Sequence, residues 1–169
     1  DGAGAVVVPS STEEGGVLSS HLKSDGTLWE LLYSSYGHTY TPEILQGIEV
    51  KPFYLKMDGN RLFKKAVGCL SSVAREALQH NSLSCEDIGL IIPHQANIRI
   101  IQGMANNLQI PMEKVYTNVN KYGNTSSASV PIALDEAHRE GLLSKGDNLL
   151  LVCFGAGLTW GGSILRWSI

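Results

Sequence analysis

Residues 88–108 run Ile88-Gly-Leu-Ile-Ile-Pro93, then His94-Gln-Ala-Asn97, then Ile98-Arg-Ile-Ile-Gln-Gly-Met-Ala-Asn-Asn-Leu108. The segment Ile88–Pro93 is a short apolar run of strand length, which reads as a buried strand. From Gln95 to Leu108 the pattern changes to helical spacing. Ile98, Ile101, Ala105 and Leu108 fall on one face, and Pro111 closes the helix. His94 stands at the junction. A buried strand followed by an amphipathic helix is the unit from which α/β folds are built.

The same alternation continues on both sides. Upstream, Leu62, Phe63, Ala66, Val67, Leu70, Val73, Ala74, Ala77 and Leu78 keep the 3.6-residue period and predict a helix from about Asn60 to His80. Arg61, Lys64, Lys65, Arg75 and Glu76 lie off that stripe. Ser84 with Asp87 is spaced to cap a short turn. Further upstream, Ala5–Val8 and Val17–Lys23 read as strands, the second ended by Asp25-Gly26. Residues 27–52 carry Gly37, Pro42, Gly47 and Pro52 and read as an irregular excursion. Downstream come a short strand over Val115–Thr117 and a helix over Ser127–Glu140, with Pro131 near its first turn and Gly141 at its stop. Gly146-Asp147 turns into a strand over Leu149–Phe154, and Gly155-Ala156-Gly157 connects it to a last strand over Leu158–Trp167. Strands alternating with helices and a closing hairpin predict an α/β layered fold with a mixed sheet.

Composition narrows the function classes. The 169 residues are 43% apolar and 17% charged, which suits a globular chain with a real core. With 13 basic and 16 acidic residues the net charge is -3, and no long basic run suggests nucleic-acid binding. No apolar stretch is long enough to cross a bilayer. The 3 cysteines, Cys69, Cys85 and Cys153, lack CxxC spacing, which argues against a disulfide framework or a zinc site and for a reducing cytoplasm. Cys69 and Cys153 read as inert core, and Cys85 is near a possible helix start but has no other support as a nucleophile. The opening Asp1-Gly-Ala-Gly-Ala-Val-Val-Val8 lacks a basic-then-apolar pattern and reads as the middle of a longer protein.

Chemistry gathers at strand-to-helix junctions. His94 follows a buried strand, where α/β folds place their sites. It is either a capping residue or a neutral imidazole able to donate a hydrogen bond or move a proton. Asn124, between Gly123 and Thr125, is either ordinary turn chemistry or a second neutral donor. Two such donors aimed at one point would form an oxyanion or enolate site. Phe154-Gly155-Ala156-Gly157 is either a plain turn or a place where backbone amides meet a substrate. Arg61, Lys64, Lys65 and Arg99 form either a solvated face or a docking surface for an acidic partner or a phosphate.

Taken together, the segments resemble a known family. Asp1-Gly-Ala-Gly-Ala5, Met57-Asp-Gly-Asn-Arg-Leu-Phe-Lys64, Pro93-His-Gln-Ala-Asn-Ile-Arg99, Gly123-Asn-Thr-Ser-Ser-Ala-Ser-Val-Pro131, Leu134-Asp-Glu-Ala137 and Phe154-Gly-Ala-Gly-Leu-Thr-Trp-Gly161 are similar, in order, to the C-terminal half of β-ketoacyl-acyl carrier protein synthase III, of the thiolase superfamily. The resemblance implies a thiolase-like fold of paired βαβαβαββ halves with layered helices, of which this is the second. Residues 1–20 would be closing strands of a missing N-terminal half, and 21–169 the C-terminal half-domain.

It also implies a Cys-His-Asn reaction joining an acyl-CoA primer to malonyl-acyl carrier protein with loss of CO2. His94 and Asn124 match the histidine and asparagine. The cysteine belongs to the N-terminal half, so this chain alone is expected to be inactive. Gly59, Asn60, Phe63, Ala96, Asn97 and Ile100 would line the pantetheine tunnel, and Phe154 the acyl pocket. Lys64 and Arg99 would face the docked carrier protein. The Ala156 amide would serve a second oxyanion hole. Many relatives have glycine there, and the extra methyl alters the turn around that amide. No metal or cofactor is implied; coenzyme A and carrier-protein thioesters are the substrates. The complete protein would be a homodimer. The alternatives are a polyketide or alkylquinolone-type synthase, a hydroxymethylglutaryl-CoA synthase relative, or a non-catalytic fragment or subunit binding carrier protein or acyl-CoA.

Overall fold

A computed structural model describes residues 1–10, 12, 15–34 and 54–169. Its strands are β1 (Gly16–Ser24), β2 (Leu32–Ser34), β3 (Leu55–Met57), β4 (Ile88–Pro93), β5 (Asn148–Gly155) and β6 (Thr159–Arg166). Its α-helices are α1 (Gly59–His80), α2 (Ile98–Leu108), α3 (Val119–Tyr122) and α4 (Ser129–Arg139). The main sheet has the order β1-β6-β5-β4. β4 and β5 run parallel, whereas β6 is antiparallel to both β5 and β1. The sheet is therefore mixed, as the closing hairpin requires. β2 and β3 pair in a separate small ribbon.

The period-two alternation of β4 and β5 explains why both read as continuous apolar runs. Ile91, Leu150 and Val152 face a core shared with α1 and α2, through Leu70, Val73, Ala77, Ile101, Met104 and Ala105. Leu90, Ile92 and Leu149 face the opposite side, where Ala133, Leu134 and Ala137 of α4 cover them. The sheet is thus sandwiched between helical layers. α1 crosses β6 so closely that a Cβ on Gly162 would lie 3.3 Å from Val73 Cγ2. Burying one such Leu or Ile stabilises by about 1.5–3 kcal/mol. The ion pairs here involve exposed partners, such as Arg139–Asp135, and pairs of that kind contribute about 0–1 kcal/mol each. Apolar layering holds this fold together.

The α1 expectation agrees with the structure: Leu62, Ala66, Leu70, Val73, Ala74, Ala77 and Leu78 are buried along it. Asp58 caps its start, accepting from the Arg61 N–H at 3.2 Å. At the other end of α4, Gly141 takes a φ of 72°, the left-handed geometry of a helix stop.

Other expectations need correction. Ala5–Val8 forms no strand; its residues are exposed and pair with no described segment, and a strand needs a hydrogen-bonding neighbour. The helix expected from Gln95 starts at Ile98, because the Asn97 side chain caps it by accepting from the Arg99 N–H at 2.8 Å. Ile98 itself is 39% exposed instead of inward. Val115–Thr117 shrinks to a single bridge between Val115 and Ile91. The helix expected from Ser127 begins as a 3-10 turn over Ser126–Ala128 and becomes α-helical at Ser129. The irregular excursion holds a 3-10 turn over Gly26–Leu31 and then β2, and its portion from 35 onward lies outside the described residues. Cys69 is half-buried and Cys153 exposed, so neither is core.

Candidate active site

β4 ends at Pro93, and its carboxyl end sits beside that of β5 because the two strands are parallel neighbours. This is the edge where α/β sheets expose functional loops. The His94 N–H donates to Val152 O at 2.8 Å, extending the ladder by one residue and holding His94 against β5. The ring is half-buried. Its Nδ1 lies 2.6 Å from Ser129 Oγ on α4. The other ring nitrogen has no partner among the described residues. Burial lowers the His94 pKa below the ordinary histidine value, which favours the neutral ring.

Behind His94 lies Gln95, 1% exposed and fully hydrogen-bonded. Its Nε2 donates to Pro93 O at 2.8 Å and Tyr116 O at 3.1 Å. Its Oε1 accepts from the N–H groups of Asn118 at 2.9 Å and Val119 at 3.2 Å. One amide therefore joins the end of β4 to the start of α3. The connection continues outward. Asn118 Nδ2 donates to Glu136 Oε2 at 2.7 Å. Glu136 Oε1 also receives Lys121 Nζ and the Tyr122 hydroxyl. These donors, Lys121 foremost, pull the Glu136 pKa down to about 2.

Asn124 is exposed in the stretch between α3 and α4. Its Oδ1 accepts from the Ser126 N–H at 2.9 Å, and its amide Nδ2 has no partner among the described residues. Its side chain makes no hydrogen bond with His94. The two are linked through Ser129, which lies in the same Gly123–Pro131 segment as Asn124 and touches the His94 ring. Among the other residues, Phe63 and Arg99 come together, with Arg99 Cζ 5.6 Å from the Phe63 ring centre. That contact joins the starts of α1 and α2. Gly59, Asn60 and Lys64 are exposed on the first turns of α1, Asn97 is exposed, and Ala96 and Ile100 are half-buried at the start of α2. Phe154 is half-buried at the end of β5, packed against the main core and the Leu31, Leu62, Leu158 cluster. Ala156 is exposed in the following turn, its carbonyl accepting from Thr159 Oγ1 at 3.0 Å.

Sequence reading missed Ser129, Gln95, Asn118 and Glu136. Gln95 stood beside His94 in the motif, and its neighbourhood was the one available signal. Ser129 is one of several hydroxyl residues in Thr125-Ser-Ser-Ala-Ser129, and spacing alone does not select it. Among the described residues, no group of three His, Cys, Asp or Glu side chains could hold a metal ion, and no helix is long and apolar enough to cross a membrane.

Comparison with known proteins places this geometry in context. A family model described as 3-oxoacyl-[acyl-carrier-protein (ACP)] synthase III C terminal matches residues 78–167. The β-ketoacyl-[acyl-carrier-protein] synthase III of Clostridioides difficile (strain 630) is 45% identical over 169 residues, covering 100% of this chain and 51% of the relative. The crystal structure of 3-oxoacyl-[acyl-carrier-protein] synthase III from Aquifex aeolicus VF5 aligns with a TM-score of 0.82 at 41% identity, covering 94% of this chain and 46% of that one. The priming β-ketosynthase from the R1128 polyketide biosynthetic pathway aligns with a TM-score of 0.78 at 35% identity, covering 90% of this chain and 45% of that one. The mixed α/β architecture is thiolase-like. The chain spans about half the length of the curated relatives it matches.

Proposed function

The chain belongs to the 3-oxoacyl-[acyl-carrier-protein] synthase III family as its C-terminal part, and from that premise we propose that it supplies the decarboxylating half of a condensing site. The observation that carries this reading is His94: neutral by burial, tied at Nδ1 to Ser129, and open at its other nitrogen. Asn124, with Oδ1 engaged and Nδ2 open, is the second donor.

In this reading a malonyl thioester places its carbonyl oxygen between the two donors. The bond to the carboxylate breaks, CO2 leaves, and the electron pair becomes an enolate whose charge falls on that oxygen. Hydrogen bonds that strengthen as the charge develops lower this barrier selectively. The enolate carbon then attacks an acyl thioester on a cysteine of the N-terminal half, and the cysteine thiolate departs. The Ala156 amide, with the amide of the nucleophile, receives the second oxyanion. Gly59, Asn60, Phe63, Ala96, Asn97 and Ile100 border the pantetheine arm, Phe154 borders the acyl chain, and exposed Lys64 and Arg99 receive an acidic carrier protein. Residues 1–20 belong with the closing strands of the N-terminal half and 21–169 form the C-terminal half-domain, the stretch from Gly16 also pairing with β6. Coenzyme A and carrier-protein thioesters are substrates and not cofactors. The complete protein acts as a homodimer in the cytoplasm, where free thiols survive.

The test is reconstitution. Alone, the chain forms no β-ketoacyl product from acyl-CoA and malonyl-acyl carrier protein. Joined to the N-terminal half of a family member, it releases CO2 and forms product. Product from the isolated chain, or none from the joined halves, overturns the reading. Similarity to the polyketide priming enzyme favours one second reading, a synthase that starts polyketide chains. A panel of primers on the joined protein separates the two.

A further inference from the structure

Ser129 opens α4 and is 2% exposed, so each hydrogen bond of its hydroxyl can be accounted for. Its Oγ accepts from the Gln95 N–H at 3.1 Å and lies 2.6 Å from His94 Nδ1. A serine hydroxyl has one hydrogen and two lone pairs. Gln95 occupies one lone pair. If Nδ1 carried a proton, it would take the other. The Ser129 hydrogen would then be stranded in a buried place, because its O–H has no other acceptor among the described residues. Leaving a buried donor unmade is the costly side of hydrogen bonding. The opposite arrangement satisfies every group: Ser129 O–H donates to Nδ1, and the ring proton sits on Nε2.

We infer that Ser129 is a positioning residue that holds His94 as the neutral Nε2–H tautomer, so that a donor and not an acceptor faces the substrate oxygen. The proton on one imidazole nitrogen is set by the partner of the other. An imidazolium fails the same accounting, since it would again present N–H to Ser129, and burial disfavours its charge. Gln95 takes part twice. Its backbone N–H fixes the direction of the Ser129 lone pair, and its side chain anchors the loop that carries His94. The catalytic consequence rests on the condensing reading above, whereas the tautomer is a property of the fold.

The experiment is ¹⁵N-histidine NMR on the complete synthase containing both halves, with the His94 signal identified by its loss in His94→Ala. The wild type is expected to show a protonated, pyrrole-type Nε2 and an unprotonated, pyridine-type Nδ1. Ser129→Ala moves the Nδ1 signal and mixes the tautomers, and Ser129→Thr, which keeps the hydroxyl, restores the pattern. Malonyl decarboxylation falls about 10–100-fold in kcat for Ser129→Ala, as expected for loss of an orienting partner, and recovers in Ser129→Thr. A pyrrole-type Nδ1 in the wild type overturns the inference, and so does an unchanged ring signature in Ser129→Ala. If Ser129→Ala does not fold, the wild-type spectrum alone decides. If the tautomer is as stated but neither Ser129→Ala nor His94→Ala changes decarboxylation, the inference stands and the condensing reading falls.

Discussion

His94 Nδ1 and Ser129 Oγ lie 2.6 Å apart, joining the carboxyl end of β4 to the first residue of α4. This contact ties the histidine to the segment that carries Asn124. The second ring nitrogen has no partner among the described residues, and His94 itself follows the end of β4, which lies beside β5 at Val152.

The donor roles predict a selective loss. In the complete enzyme, His94→Ala and Asn124→Ala should each slow malonyl decarboxylation by about 10²–10³-fold. Transfer of the primer to the cysteine should stay near wild type, because that step uses the other half's nucleophile. Release of CO2 and the mass of the acyl-enzyme measure the two steps separately. Normal decarboxylation in both variants removes the basis of the assignment.

The His94 environment predicts the acid limb of the pH profile. Its pKa lies below 6.5 because burial disfavours the charged ring. Neutral His94 therefore persists through the ordinary histidine range, and decarboxylation should fall only at lower pH. The linked stability term has the matching sign. As pH drops below about 6.5 the unfolded chain takes up this proton first, so the folded state loses stability until His94 also protonates. A pH series of CO2 release and urea unfolding tests both. A rate that halves at or above the ordinary histidine value contradicts the buried, neutral ring.

Gln95 predicts a contrast between two substitutions. Gln95→Leu leaves the Asn118 and Val119 N–H groups and two carbonyls without partners, and should cost at least about 3 kcal/mol at any pH. Gln95→Glu keeps an acceptor for the N–H groups but turns a carboxylate toward the Pro93 and Tyr116 carbonyls. Those carbonyls favour its protonated form and raise its folded pKa. Its stability should therefore decline as pH rises through the unfolded glutamate value of about 4.3. Urea melts of wild type and both variants from acid to neutral pH show whether only the Glu variant's difference from wild type changes with pH.

Glu136 predicts a loss confined to one acid window. Glu136→Ala strands the buried Asn118 amide, at a cost of about 1–3 kcal/mol. In the wild type the glutamate contribution is present above the ordinary glutamate value of 4.5 and is lost as pH falls through its folded value of about 2. The stability difference between wild type and Glu136→Ala should shrink across that window. A difference that stays constant to the acid end shows that Glu136 acts through packing alone.

Much of the fold was legible because its elements are local in origin. The α1 stripe from Leu62 to Leu78, the apolar run Ile88–Pro93 and the closing hairpin each satisfy their own periodicity, so the chain order alone implies layered α/β with a mixed sheet. Boundaries were less legible where a side chain bonded to distant backbone. Gln95 has helical neighbours downstream, yet it is withdrawn from α2 by hydrogen bonds to Tyr116, Asn118 and Val119. Ala5–Val8 has the composition of a strand, but composition does not supply a pairing partner.

The sequence by itself determined the alternation of elements, the family, and the identity of His94 and Asn124 as candidate donors, because motifs and periodicity are written in consecutive residues. Only the tertiary structure decided which hydroxyl among Thr125-Ser-Ser-Ala-Ser129 meets the imidazole, which amide anchors the loop, and that the histidine is buried enough to remain neutral. Those properties depend on β4, α3 and α4 being packed against one another. Burial and the sharing of a hydrogen atom are set by distance in space, which spacing along the chain does not encode.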